Sequence, residues 1–222
     1  MRRGLAAIAI VAAGVGLLGS AASAPRDTGT IRGRVQVTTV PRAGGRPAIA
    51  ELSAPANDPI DRRRCVVYLE SAPREAFGEL RAGHVRMDQR NEQFVPHLLA
   101  ITVGTTVDFP NSDTTFHNVF SFARGNSFDL GRYPPGRTGG RKFETPGIVP
   151  ISCDIHSHMS AYLLVFSHPF FAVTDDDGKY SIASVPAGTY SLVVWSELGR
   201  AEPRKVTVTD GEIVDADFRV TR

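Results

Sequence analysis

The sequence predicts an all-β chain, and three observations carry that expectation. Gly 21 and Pro 15 among 222 residues punctuate short runs rich in Val, Thr and aromatics, the composition of strands joined by turns. Beyond the first segment, no stretch repeats apolar residues at helical spacing for long enough to make an amphipathic helix. The tail from Phe170 onward alternates apolar and polar residues between Asp-Gly turns. The length suits one large domain or two small ones, with enough apolar content for real cores.

Taken in order, the first segment stands apart. Arg2 and Arg3 precede the apolar run Leu5–Leu18, and the small residues Ala21-Ala-Ser-Ala follow. That is the layout of a secretory signal peptide, 1–24, too short to anchor in a bilayer, with cleavage after Ala22 or Ala24. The mature chain is therefore expected to be exported and periplasmic, with no membrane span. Without Arg2 and Arg3 the Lys+Arg count drops from 25 to 23 and equals Asp+Glu 23. A charge-balanced chain argues against a nucleic-acid or anionic-lipid partner.

Gly29–Val37 alternates apolar and polar residues and reads as a strand. Pro41–Arg64, rich in Pro, Ala, Gly, Asp and Arg, reads as an exposed connection. Cys65–Glu70 is a second strand, and Cys65 reads as a small buried hydrophobe rather than a disulfide partner of Cys153. Arg74–Leu80 fits one helical turn or a loop. Met87–Phe94 leads into the strand Pro96–Val103, and Gly104 turns the chain so that Thr106–Phe109 returns antiparallel to it. Phe120–Gly140 reads as long loops around one short strand, Phe128–Leu130, basic through Arg124, Arg132, Arg137, Arg141 and Lys142. Lys142–Glu144, Ile148–Ile151 and Ala161–Phe166 are strands. In the tail, Lys205–Val208 and Val214–Val220 are expected to close as a hairpin about Asp210-Gly. An Asp-Gly turn also explains Asp175–Asp177 with fewer assumptions than calcium does.

The loop between Ile151 and Ala161 carries the chemistry. Cys153, His156, His158 and Met159 fall within seven consecutive residues. A blue-copper centre needs two imidazoles and a thiolate in a trigonal plane with a weak axial thioether. The loop can supply the thiolate, one imidazole and the thioether; a second imidazole must come from elsewhere, and His117 is the best candidate. His97, beside Pro96, reads as structural.

Gly104-Thr-Thr-Val-Asp-Phe-Pro-Asn, His117-Asn-Val and Cys153-x-x-His156-x-x-Met159 resemble the plastocyanin-like cupredoxins. The Cys-x-x-His-x-x-Met spacing resembles that of the amicyanins, electron carriers of methylamine oxidation. The resemblance implies a Greek-key β-barrel or sandwich over 80–167. It also implies one type 1 copper ion held by His117, Cys153 and His156, with Met159 axial. Asn118 resembles the residue whose backbone N–H steadies the thiolate without itself touching the metal. Azurin-like spacing would choose His158 instead, but would need Met at position 162, where this chain has Tyr162.

Thr174-Asp-Asp-Asp-Gly-Lys-Tyr followed by Val185-Pro-Ala-Gly-Thr-Tyr resembles the carboxypeptidase regulatory-like domain, a small transthyretin-like β-sandwich of carbohydrate-binding-like fold. The tail lacks the first two strands of such a sandwich, and Gly29–Val37 and Cys65–Glu70 look like them. The expected division is therefore 1–24 signal peptide, 25–79 first strands and linker of a host sandwich, 80–167 inserted cupredoxin domain, and 168–222 the rest of the host. A simple tandem of two domains is the alternative.

The functional expectation is an exported type 1 (blue) copper protein that carries single electrons between periplasmic redox partners, such as a cytochrome or a dehydrogenase. It is not expected to be an enzyme: side chains fill all four coordination places, and no Ser/His/Asp arrangement is visible. By resemblance, Phe94, Pro96 and Phe116 near His156 would form the docking face. One alternative is a copper-trafficking protein, for which Met 3 is few. Another is a non-redox module that binds carbohydrate or protein, with Trp195, Tyr180 and Tyr190 as stacking surface.

Overall fold

A computed structural model describes residues 27–38 and 60–221, apart from 75, 76, 79 and 81. The proposed signal peptide and most of the Pro41–Arg64 connection lie outside the described residues. Among the described residues, strands make up nearly all the regular structure, with one 3-10 turn at Ile60–Arg63.

Strands β1 (Thr28–Thr38) and β2 (Val66–Leu69) come first in the chain, but their partners come last. Between them and those partners in sequence lie β3 (His84–Arg86), β4 (Asp88–Arg90), β5 (Gln93–Val95), β6 (Leu98–Thr102), β7 (Thr106–Pro110), β8 (His117–Ser121), β9 (Phe128–Tyr133), β10 (Thr138–Lys142), β11 (Gly147–Ser152) and β12 (Ser160–Phe166). The tail adds β13 (Phe171–Val173), β14 (Lys179–Pro186), β15 (Gly188–Trp195), β16 (Arg204–Val208), β17 (Ile213–Asp215) and β18 (Phe218–Thr221).

The middle strands form a five-stranded sheet, ordered β6-β12-β11-β8-β9, and a three-stranded sheet, β10-β7-β3, with the β4–β5 hairpin beside them. Alternate residues of both sheets enter one core that includes Phe94, Phe109, Val119, Phe143, Ile151 and Leu163, and reaches Cys153 and Met159 at one end. Side chains alternate across a strand, and β11 with Val149 and Ile151 and β12 with Ala161, Leu163 and Val165 give this core every second residue. Among the described residues, no ladder joins β9 to β10 or β3 to β6. Of the expected barrel or sandwich, the structure is the open two-sheet sandwich. Pro150 contributes locally: it has no N–H to donate, and β11 meets β8 at the single pair Ser152↔Phe120.

Two expected hairpins are corrected. Gly104 turns with φ +86, but β6 pairs in parallel with β12 while β7 pairs with β10 and β3. The turn therefore carries the chain across the sandwich from one sheet to the other. The Asp210-Gly211 turn does the same: β16 pairs with β15, whereas β17 and β18 both run parallel to β1. Between Phe120 and Gly140 the chain also has more strand than expected, with β9 extending to Tyr133 and β10 beginning at Thr138.

The tail strands complete two four-stranded sheets, one with β1 flanked by β14, β17 and β18, the other ordered β13-β2-β15-β16. Ile31, Val35, Val67, Leu69, Ile182, Leu192 and Val220 lie in their shared core. Gly33 is required there, because a Cβ would overlap the Ala216 carbonyl. A third cluster joins this body to the middle one through Val66, Leu98 and Leu164, with Tyr68, Tyr162, Phe166 and Trp195 packed around them. Tyr162 and Trp195 meet with ring centroids 4.9 Å apart, and His97 Nε2 lies 2.6 Å from Glu197 Oε2 across the same junction. His97 is therefore a junction residue, well satisfied where it stands.

Candidate metal centre

Three segments meet at one end of the middle sandwich: the β4–β5 turn, the loop before β8 and the loop between β11 and β12. Asn111 shapes the second of these. Its Nδ2 donates to the Thr115 and Tyr133 carbonyls at 2.8 and 3.2 Å, and its Oδ1 accepts the Asp113 N–H at 3.0 Å. This clamps the loop so that His117 opens β8 fully buried. Cys153 follows the last residue of β11, which lies beside β8 through Ser152↔Phe120. Strand pairing thus brings together two residues 36 positions apart.

The donor atoms of His117, Cys153 and His156 all lie within 4.8 Å of one another. His117 Nδ1 is 4.0 Å from Cys153 Sγ and 3.1 Å from His156 Nδ1. Bonds of about 2.0 Å to nitrogen and 2.3 Å to sulfur in a trigonal plane would put such donors roughly 3.5–3.8 Å apart. The observed separations bracket that range, so one ion fits between them with small side-chain adjustments. Met159 is 1% exposed and belongs to the same core cluster as Cys153. Its N–H donates to the His156 carbonyl at 2.9 Å, closing the turn that sets the spacing of the loop.

The surroundings hold these groups in place. The backbone N–H of Asn118 donates to Cys153 Sγ at 3.5 Å, a polar contact within the looser reach of sulfur. The Asn118 side chain donates to Asp129 at 2.7 Å. The Gly131 N–H, with Asn118 adding, holds the Asp129 carboxyl below the usual carboxylate range. Arg132 grips Asp154, the residue after Cys153, through two contacts of 2.9 and 3.1 Å to one carboxylate oxygen. The half-buried Tyr133 donates its hydroxyl to the Phe109 carbonyl at 2.8 Å and accepts from Gln89 Nε2 at 2.6 Å. Burial pushes this phenol up to about 12.

Two acidic residues that the sequence reasoning missed back the imidazoles. Asp113 Oδ2 lies 3.0 Å from His117 Nε2 and also accepts the Glu92 N–H at 2.7 Å. The Glu92 N–H above all, helped by His117 and Thr114, holds the Asp113 carboxyl below the usual range against the opposing effect of burial. The Glu92 carboxylate itself lies 3.7 Å from His156 Nε2 and 3.2 Å from His158 Nε2. No sequence pattern marks either acid, since both act from loops whose approach depends on the fold. His158 is exposed on the loop and meets Glu92, outside the His117–Cys153–His156 cluster.

Of the residues expected on the docking face, one is not at the surface. Phe116 is 53% exposed, and Ile155, beside His156, is also exposed. Phe94 is buried in the core and offers nothing to a partner, because its strand position faces inward. The stacking surface considered for the tail is likewise taken up. Tyr180 and Tyr190 are buried with hydroxyls donated to the Ala216 and Pro186 carbonyls, and Trp195 packs on Tyr162.

No protein-family model matches the chain, and no curated protein matches it. Among solved structures, it is similar to a purple cupredoxin from Nitrosopumilus maritimus at 23% identity, over 37% of this chain and 99% of that one, with a TM-score of 0.35. It is similar to a reduced single-site mutant of amicyanin at 21% identity, over 45% of this chain and 98% of that one, TM-score 0.36. A copper-containing nitrite reductase from Thermus scotoductus SA-01 is 24% identical over 59% of this chain but 28% of that one, TM-score 0.36.

Proposed function

We propose that the protein is a type 1 copper protein that carries single electrons. The observation that carries this reading is the convergence of His117 Nδ1, Cys153 Sγ and His156 Nδ1 from two separate loops. A copper ion bound there would supply a one-electron couple stabilised by thiolate and imidazole ligands. The residues' own part is to stay still. His117 opens β8 and Cys153 directly follows β11, its pairing partner, Met159 is packed in the core as the proposed axial ligand, and Asn118 donates its N–H to the sulfur. Ligands that need not move between oxidation states keep the reorganisation on electron transfer small. His117 is fully buried, whereas the His156 side chain is 18% exposed; His156 is thus the way in and out for the electron, beside Phe116 and Ile155.

Four side chains filling the coordination places leave none open for a substrate, and on that ground the protein is proposed to be a carrier rather than an enzyme. Its partner would be a redox protein such as a cytochrome or a dehydrogenase. The basic, signal-like start of the sequence supports export to the periplasm; among the described residues, no helix is long and apolar enough to cross a membrane. We further propose that residues of about 80–167 form a cupredoxin domain inserted in a transthyretin-like host, a division supported by the pairing of β1 and β2 with tail strands.

The test is the visible spectrum of the full chain loaded with Cu(II). An intense thiolate-to-copper charge-transfer band is expected, and Cys153→Ser should abolish it. A colourless Cu(II) complex, or a band that survives Cys153→Ser, would sink the reading.

A further inference from the structure

The β4–β5 hairpin turns in two residues, since Arg90 pairs with Gln93. Both turn residues, Asn91 and Glu92, have φ of 53°. A two-residue turn of this kind needs positive φ at both positions and favours Asn followed by Gly. Glu in the second place is strained, and strain of this sort persists where the surroundings over-determine the conformation. What Glu92 does there is visible from both of its ends. Its N–H is donated to Asp113 Oδ2, the same oxygen that faces His117 Nε2. Its carboxylate faces His156 Nε2 at 3.7 Å and His158 Nε2 at 3.2 Å. The Nδ1 atoms of His117 and His156 face each other, 3.1 Å apart, and behind each of these two rings stands a carboxylate.

Resting on the copper reading above, we propose that Glu92 is a positioning residue that braces both histidines and sets how strongly the site prefers Cu(II) over Cu(I). A negative group behind Nε2 favours the tautomer with the proton on Nε2 and the lone pair on Nδ1, aimed at the metal. At 3.7 Å the contact exceeds a direct hydrogen bond, so it acts through charge. Negative charge on this flank stabilises the more highly charged oxidation state. The Glu92 side chain is 47% exposed, more than the 18% of His156.

The test compares full-length wild type, Glu92→Gln, Glu92→Gly and His158→Ala, each loaded with copper. Glu92→Gln keeps the shape and removes the charge. It should lower the ratio of Cu(II) to Cu(I) affinity about tenfold, which raises a one-electron potential by about 59 mV. Glu92→Gly keeps the N–H to Asp113 and relieves the backbone strain. It should therefore shift the potential the same way while the copper-free protein melts no lower than wild type. His158→Ala should leave the ratio within twofold. If Glu92→Gln leaves the ratio within twofold of wild type while the wild type shows its charge-transfer band, this inference is overturned and the copper reading stands. If the wild type shows no band, both fall together.

Discussion

Removing the Asp113 carboxylate by Asp113→Ala should weaken copper binding more than it weakens the fold. Asp113 Oδ2 accepts from the Glu92 N–H at 2.7 Å and faces His117 Nε2 at 3.0 Å, while Oδ1 accepts the Thr114 N–H at 3.1 Å. The two backbone donors lose their acceptor, but their partly exposed loops let water replace it, so the copper-free protein should lose about 1–2 kcal/mol. The imidazole of His117 loses the group that fixes its tautomer and tilt. Outer partners of this kind are worth about 10–100-fold in metal affinity, or roughly 1.4–2.8 kcal/mol. Competition against a copper chelator would measure the affinity, and urea unfolding of the copper-free chain the stability. Asp113→Asn, which keeps one acceptor oxygen, should fall between. An Asp113→Ala protein that loses the stability yet binds copper within twofold of wild type would refute the claim that this carboxylate orients His117.

Two further outcomes follow from the same structure. Leu163 is fully buried in the core of the middle sandwich, so Leu163→Ala should cost about 2–5 kcal/mol by thermal or urea unfolding; a loss below about 1 kcal/mol would mean the site collapses around the deletion. Asp88 is buried, and burial alone would raise its carboxyl, but Ser112, Arg90, Arg86 and the Gln89 N–H together hold it below its ordinary value. A carboxyl lowered by folding stabilises the protein above its unfolded value of about 3.9, and that contribution fades as pH falls through the lower folded value. Asp88→Asn should accordingly be less stable than wild type at neutral pH, with the gap narrowing below about pH 4; urea midpoints that stay equally far apart down to strong acid would contradict it.

Local chemistry was legible in the residues. Short runs of Val, Thr and aromatics between Gly and Pro are strands in the structure. The Cys153–Met159 spacing places a thiolate, an imidazole and a thioether on one loop with no help from distant chain. Turn signals were half legible. Gly104 and Asp210-Gly211 both turn the chain, but a turn motif records only local backbone angles. Whether the next strand hydrogen-bonds back or crosses to the opposite sheet depends on which edges are free. For the same reason open-sandwich and closed-barrel arrangements read alike in sequence, since both present the same alternation.

By itself, then, the order of residues determined most of the strands and supplied a donor set suited to a soft metal, because both are written within a few consecutive positions. Only the tertiary structure decided that His117 arrives beside Cys153 with Nδ1 inward, that Asp113 and Glu92 stand behind the rings, and that Phe94 turns into the core. Each of those depends on strands and loops many residues apart, held by ladder hydrogen bonds and shared apolar burial, and no local pattern encodes the distance between them.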